Sequence, residues 1–183
     1  MADPVSLSEF ELMLSTTSPI EAAVLNAGIW AGGRVGVIDD DTWHRVVSVN
    51  LCGTYSIARA ILPTLRLQSA ASITMVSSVI GLRGFEGDTA YGAAKGGMIS
   101  FAKSLAKEVA PDGMRVNVIA PGFVETDMTS GVSEKAWVRL VSEVPLGRPG
   151  LPEEIALGAT FLIFDGTYVT GTVLTVDGGW SSR

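Results

Sequence analysis

The sequence predicts an α/β protein with a parallel sheet, and three observations carry that prediction. Short apolar runs at residues 22–25, 73–76, 115–119 and 173–176 are candidate strands. The longer segments between them are candidate helices, above all the Ala-rich stretch 91–109. Strands alternating with helices in this way imply parallel strands joined by crossover helices. Third, the 183 residues are 47% hydrophobic, enough for a sizeable core in a single domain spanning residues 1–183.

Each element has a local signal. Asp3-Pro4 opens a short helix to about Leu14, with Leu7, Phe10, Leu12 and Leu14 as its apolar residues. Ala22–Leu25 reads as a buried strand. Asp39, Asp40 and Asp41 precede Thr42 and Trp43, and carboxylates favour a helix N-terminus. That helix runs to about Leu62, with Pro63 bending or breaking it. The strand at 73–76 follows the small, polar approach Gln68-Ser-Ala-Ala-Ser72. Residues 81–88 read as loop, and the helix 91–109 ends near Pro111-Asp-Gly113. A strand at 115–119 follows, then a mixed segment, 123–145, with Met128 and Trp137. Leu151-Pro-Glu-Glu154 starts a helix to about Phe164, with proline at an early position. Val173–Val176 is the last strand, and Gly178-Gly179 begins the tail. The chain has no internal repeat and no low-complexity linker.

Composition narrows the function. A net charge of −6 and a pI near 4.7 oppose a general nucleic-acid partner. Cys52 is the only cysteine, so no intrachain disulfide forms, and the chain suits a reducing cytoplasm. Beside Leu51 on a helix, Cys52 reads as a small packing residue. Residues 1–20 carry Asp3, Glu9 and Glu11 and lack the pattern of a signal peptide. No apolar stretch approaches the ~18 residues of a membrane span. The lone His44 has no Cys or His companion, so no metal site is expected.

The chemistry centres on Tyr91-Gly-Ala-Ala-Lys95. Residues four apart on a helix share a face, so Tyr91 and Lys95 point the same way. A free phenol has a pKa of about 10, and bringing it to neutrality takes roughly 4 kcal/mol of differential stabilisation. A nearby ammonium works in that direction. A pKa nearer the working pH makes a better general acid or base. Ser78, at the end of Ile73-Thr-Met-Val-Ser-Ser78, offers a hydroxyl that holds a substrate oxygen without bearing charge. Asn50 lies upstream, and Pro121-Gly122 downstream. The set suits proton transfer to or from a carbonyl or alcohol oxygen.

With these residues in place the chain resembles the short-chain dehydrogenase/reductase family. The matching segments are Leu25-Asn-Ala-Gly28, Val49-Asn50, Val76-Ser-Ser78, Tyr91-Gly-Ala-Ala-Lys95, Arg115-Val-Asn-Val-Ile-Ala-Pro-Gly122 and Val176-Asp-Gly-Gly179. They run from about residue 3 to residue 180. Pro121-Gly-Phe-Val-Glu-Thr-Asp-Met128 is similar to the 3-oxoacyl-carrier-protein reductase type. The resemblance implies a Rossmann-like, doubly wound parallel sheet. It implies an oxidoreductase moving a hydride between a nicotinamide, NAD or NADP, and a carbonyl or alcohol substrate. By the same resemblance Tyr91 is the acid/base, Lys95 lowers its pKa and binds the nicotinamide ribose, and Ser78 orients the substrate oxygen. Asn50 holds a water in a relay through Lys95. Asn26, Ala27 and Gly28 support the central strand and line the cofactor cleft. Pro121, Gly122 and Thr126 contact the nicotinamide end. Family members pair through the helices around 42–62 and 91–109, and through the C-terminal tail, so a homodimer or tetramer is expected.

Two departures bear on this. Leu25 stands where the family usually has a first asparagine. No TGxxxGxG loop precedes residue 3, so the resemblance implies an N-terminally truncated sheet that lacks its first strands and binds cofactor weakly. Ala31-Gly-Gly33-Arg-Val-Gly36 is a near miss for a dinucleotide fingerprint, with alanine in the first place and an acidic turn after it. It reads as the loop after the Asn-Ala-Gly strand. The 22–25 strand then becomes an edge that something must cover. The competing reading is a truncated, inactive paralogue acting as an oligomerisation or regulatory partner.

Overall fold

A computed structural model describes residues 4–16 and 19–182. Four strands, β1 (Ala22–Leu25), β2 (Ser72–Val76), β3 (Arg115–Pro121) and β4 (Val173–Val176), form one sheet in the order β1-β2-β3-β4. Every pairing is parallel. The expected architecture is therefore present, and β1 is an edge, with Val24 exposed.

The helices are α1 (Pro4–Thr16), α2 (Asp40–Val47), α3 (Gly53–Leu65), α4 (Ile80–Arg83), α5 (Thr89–Val109), α6 (Glu134–Glu143) and α7 (Pro152–Thr160). Side chains alternate across a strand. Ile73 and Met75 of β2, with Val116 and Val118 of β3, pack on Ala58, Ile61 and Leu65 of α3 and on α5 residues such as Met98 and Ala102. Burying each large side chain contributes about 1.5–3 kcal/mol. Helix α7 covers β3 and β4, and Leu162 just beyond it is fully buried.

Several local expectations change. The helix start read at Asp3 lies outside the described residues. Asp39 does cap α2, its Oδ1 accepting from the Thr42 amide at 2.7 Å. The single helix expected from there to about Leu62 is instead α2, a π-helical turn at Ser48–Cys52, and α3. Pro63 does not stop α3, which continues to Leu65 because Ile61 and Leu65 are buried on the sheet side of the last turns. The run 81–88 is not all loop, since α4 occupies its start. Cys52 is exposed on the π-helical turn rather than packed.

The joined run Asp40–Leu65 is long and apolar enough to cross a membrane by length and composition, which the sequence reading did not anticipate. Its buried residues, Val46, Asn50, Thr54, Ala58, Ala60, Ile61 and Leu65, pack into the protein, as in an amphipathic helix of a core. The mixed segment 123–145 contains α6, capped by Ser133, with Trp137 packed edge-on against Phe123 at 4.7 Å between ring centroids.

Candidate active site

The site is built at the C-terminal ends of the strands, where open parallel sheets bind ligands. Pairing continues past β2, with the Ser77 amide donating to Ile119 O at 2.8 Å and the Val79 amide to Pro121 O at 3.0 Å. Ser78 sits between these two anchors. Its Oγ accepts from the Ile80 amide at 3.2 Å, and the residue is buried.

Helix α5 begins two residues before Tyr91, so Tyr91 and Lys95 lie on consecutive turns of one buried face. The Lys95 Nζ lies 5.6 Å from the Tyr91 ring centroid. It donates to the Val76 carbonyl at 2.7 Å, and no carboxylate pairs with it among the described residues. Burial pulls its pKa down from 10.5 to about 8.

Asn50 is fully buried at the centre of the π-helical turn. Its Nδ2 donates to Val46 O and to Ile29 O, both at 2.8 Å, and its Oδ1 accepts from the Ile29 amide at 3.2 Å. Taking the Val46 carbonyl, four residues back, competes with the helical ladder. The turn widens there, with the Gly53 amide reaching Ser48 O. Such π-turns are frequent at functional sites. The Thr54 hydroxyl donates to the Asn50 carbonyl at 2.7 Å. Gly28 lies against this group: a Cβ there would sit 2.5 Å from Asn50 Oδ1 and 3.5 Å from Lys95 Nζ.

The structure therefore brings Gly28, Asn50, Ser78, Tyr91 and Lys95 together. Gly122 lies at the same end of the sheet, its amide donating to Val176 O at 3.0 Å. A Cβ on Gly122 would meet Asp177 at 2.7 Å, so only glycine fits. Asn26 and Ala27 stand exposed beyond the end of β1, which is an edge here and not a central strand. Thr126 is exposed on a turn closed by Thr129, whose Oγ1 accepts from the Thr126 amide at 2.9 Å. A cavity of about 440 Å³ opens elsewhere, at the N-terminal strand ends beside Ser72 and Arg115.

The environment of the Tyr91 phenol is dry. Burial, then the charge of Asp88, push the phenol up to about 12, while a hydrogen bond with Ser78 opposes them.

Three residues escaped the sequence reading. Ser77 donates its hydroxyl to Lys95 O at 2.9 Å, and its place in Val76-Ser-Ser78 was the available signal. Asp88 and Trp30 meet beside the site, with Trp30 Nε1 donating to Asp88 Oδ1 at 2.9 Å across 58 positions that no local pattern spans. The segment Ala31-Gly-Gly33 is a loop laid against residues 87 and 88, and the next helix begins only at Asp40, so it does not form a dinucleotide fingerprint.

Known proteins resemble this chain. Residues 9–181 match the family model described as enoyl-(acyl carrier protein) reductase. A 3-oxoacyl-[acyl-carrier-protein] reductase of Chlamydia trachomatis is 42% identical over 174 residues, covering 94% of this chain and 70% of the relative. The corresponding reductase of Escherichia coli is 37% identical over 181 residues, covering 98% of this chain and 74% of the relative. A solved oxidoreductase of the short-chain dehydrogenase/reductase family from Burkholderia thailandensis superposes with a TM-score of 0.91 at 31% identity, over 100% of this chain and 73% of that one. With Ser78, Tyr91 and Lys95 gathered at the strand ends and these matches across nearly its whole length, the chain belongs to the short-chain dehydrogenase/reductase family.

Proposed function

We propose that this chain, as one domain, is an NAD(P)-dependent oxidoreductase acting on a carbonyl or alcohol, with a 3-oxoacyl thioester on an acyl carrier protein as the preferred substrate class. The observation that carries this reading is the meeting of the Ser78 and Tyr91 hydroxyls on a face backed by Lys95. Two hydroxyls hold one carbonyl oxygen, and the phenol gives it a proton. The relatives reported above are named as reductases or oxidoreductases, and none of those names supports the reading as a regulatory partner.

The residues present fit the nicotinamide-ribose half of a cofactor. Lys95 spends one of its three N–H donors on Val76 O, which leaves two for ribose hydroxyls beside Gly28. Pro121 and Gly122 border the same place. When bound, a reduced nicotinamide supplies the hydride to the carbonyl carbon. Asn50 holds the loop after β1 on the helix behind Lys95, and a relay through it belongs to this proposal.

The diphosphate half has no such fit among these residues. The N-terminus of α2, the first helix after the β1 loop, is already capped by the Asp39 carboxylate, which takes the Thr42 amide. Two missing charge-assisted hydrogen bonds, at ~1.5–3 kcal/mol each, amount to roughly two to four decades in dissociation constant. Calorimetric titration with NADH and with NADPH should give millimolar or weaker binding. Low-micromolar binding would overturn that expectation. The activity itself is tested by following cofactor absorbance at millimolar NADPH with a 3-oxoacyl thioester. No turnover above a Tyr91→Phe control would count against the oxidoreductase reading.

Association into a dimer or tetramer belongs to the same proposal, as does a cytoplasmic location. Exposed Tyr55 on α3 touches Phe101 of α5 edge-on at 6.0 Å, and Leu157 and Phe164 are exposed near the C-terminal end. Light scattering at micromolar concentration should show more than a monomer.

A further inference from the structure

Helix α4 is a single turn, Ile80–Arg83, that starts directly after Ser78 and Val79. A helix this short does not sustain itself, so contacts from elsewhere keep it in place. One side of it lies on α5. A Cβ on Gly81 would stand 2.7 Å from the Lys95 carbonyl carbon and 2.8 Å from the Gly96 nitrogen.

The C-terminal tail and α6 grip the other side. Arg83 Nη1 donates to Trp180 O at 2.7 Å, across 97 positions. Its guanidinium carbon stands 4.5 Å from the centroid of the Trp180 ring, and Phe85 meets that ring edge-on at 6.1 Å. Trp180 Nε1 in turn donates to Glu143 Oε2 at 3.1 Å, and the same oxygen lies 3.5 Å from Arg83 Nη2. Guanidinium, indole and carboxylate thus close a ring of three contacts. Trp180 is buried, and the side chains of Arg83 and Glu143 are only 29% and 32% exposed, so water screens them less than a surface pair. The tail is pinned in turn: the Asp177 carboxylate accepts from the Gly179 amide at 2.9 Å and from the Ser181 amide at 2.7 Å.

We propose that Arg83, clasped by Trp180 and Glu143, is a positioning residue that holds α4 against the strand end and so keeps the Ile80 amide on the Ser78 hydroxyl. The proposal rests on the reading of Ser78 as the group that holds the substrate oxygen. The Ile80 amide donates to Ser78 Oγ at 3.2 Å, at the long end of the range for such a bond, so a small lift of α4 breaks it. Val79, between Ser78 and α4, is fully buried in the same cluster as Trp180, which carries the grip of the tail to the strand end. A hydroxyl has one hydrogen and two lone pairs. With the amide on a lone pair, the hydrogen is left to reach a substrate oxygen. Without the amide, the hydroxyl turns among its rotamers and that aim is lost.

The test reads the Ile80 amide directly, without turnover. Amide hydrogen exchange is followed by NMR in wild type, Arg83→Met, Arg83→Lys and Glu143→Gln, with the amide of fully buried Met75 in β2 as the reference for global stability. Arg83→Met keeps the stem and removes the charge and the donors. Glu143→Gln keeps an acceptor for the indole and removes the ion pair. Exchange at Ile80 relative to Met75 should rise about tenfold in Arg83→Met and less in Glu143→Gln. Arg83→Lys keeps a donor for Trp180 O but not the planar fork, and should restore part of the protection. Arg66→Met, which cuts the surface pair with Asp112, should leave the ratio unchanged. With a 3-oxoacyl thioester and NADPH, kcat of Arg83→Met should fall about tenfold while KM changes less. An unchanged ratio in folded Arg83→Met overturns the proposal, as does full kcat beside a raised ratio. If Arg83→Met does not fold, Glu143→Gln decides in its place. No turnover in wild type would sink the oxidoreductase reading alone, and the Ile80 ratio would still decide the clasp.

Discussion

The Ser77 hydroxyl donates to the main-chain carbonyl of Lys95 at 2.9 Å. Lys95 returns its Nζ to the Val76 carbonyl at 2.7 Å. The end of β2 and the second turn of α5 are thus tied twice, once through each partner's side chain. The tie fixes the height of Lys95 against Ser78, which follows directly on Ser77. Ser77→Ala removes a buried donor and should cost about 1–2 kcal/mol of stability. Chemical denaturation checks this, and an unchanged midpoint would mean the tie contributes nothing measurable.

Gly28→Ala is expected to be worse than its size implies. The added methyl carbon would sit 2.5 Å from Asn50 Oδ1, well inside contact distance. Asn50 cannot retreat without losing its bonds to Ile29 and Val46. Overpacking of this kind costs typically 1–3 kcal/mol. A thermal melt of the variant should show the loss, and a melt equal to wild type would show that Asn50 moves freely.

Stability should depend on pH through Lys95. Its pKa is lowered in the folded chain from 10.5 to about 8. Between those values the unfolded chain binds more protons than the folded one, so stability rises with pH. Lys95 thus contributes its full stability above pH 10.5, and that contribution is lost as pH falls through about 8. The size is on the order of 3 kcal/mol. Tyr91 acts in the opposite sense: its value is raised from 10 to about 12, so its contribution is full below pH 10 and lost as pH rises through 12. The window from pH 8 to 10 isolates Lys95. Urea denaturation across that window should show stability rising in wild type and flat in Lys95→Met. Equal slopes would remove Lys95 as the cause.

Tyr91→Phe keeps the ring and deletes the proton. Turnover should fall about 10²–10⁴-fold, as for the loss of a general acid. Binding of a substrate should change less than kcat. Retention of most turnover would remove Tyr91 from the role.

Much of this protein is legible in its sequence because the signals are local. The alternation of apolar runs with helical stretches predicts parallel pairing. The spacing of Tyr91 and Lys95 puts both on one face of α5, since helical geometry allows nothing else. Asp39 caps α2 because a short carboxylate before a helix reaches its first free amides. Ser78 stands at the strand end because the apolar run stops there.

Tertiary structure decided the rest. Asn50, at the centre of the π-turn, is joined through its side-chain amide to Ile29 of the loop after β1, a contact across 21 positions. Asp88 abandons its cap because Trp30 is brought to it from another loop. Pro63 stays inside α3 because packing outweighs one missing amide bond. Burial raises the Tyr91 phenol and lowers the Lys95 ammonium, and burial has no sequence period. The sequence by itself determined which chemical groups exist and which share a face. Which of them are dry, which are charged and which touch was left to contacts between distant segments, because desolvation and Coulomb energies depend on distance in space and not along the chain.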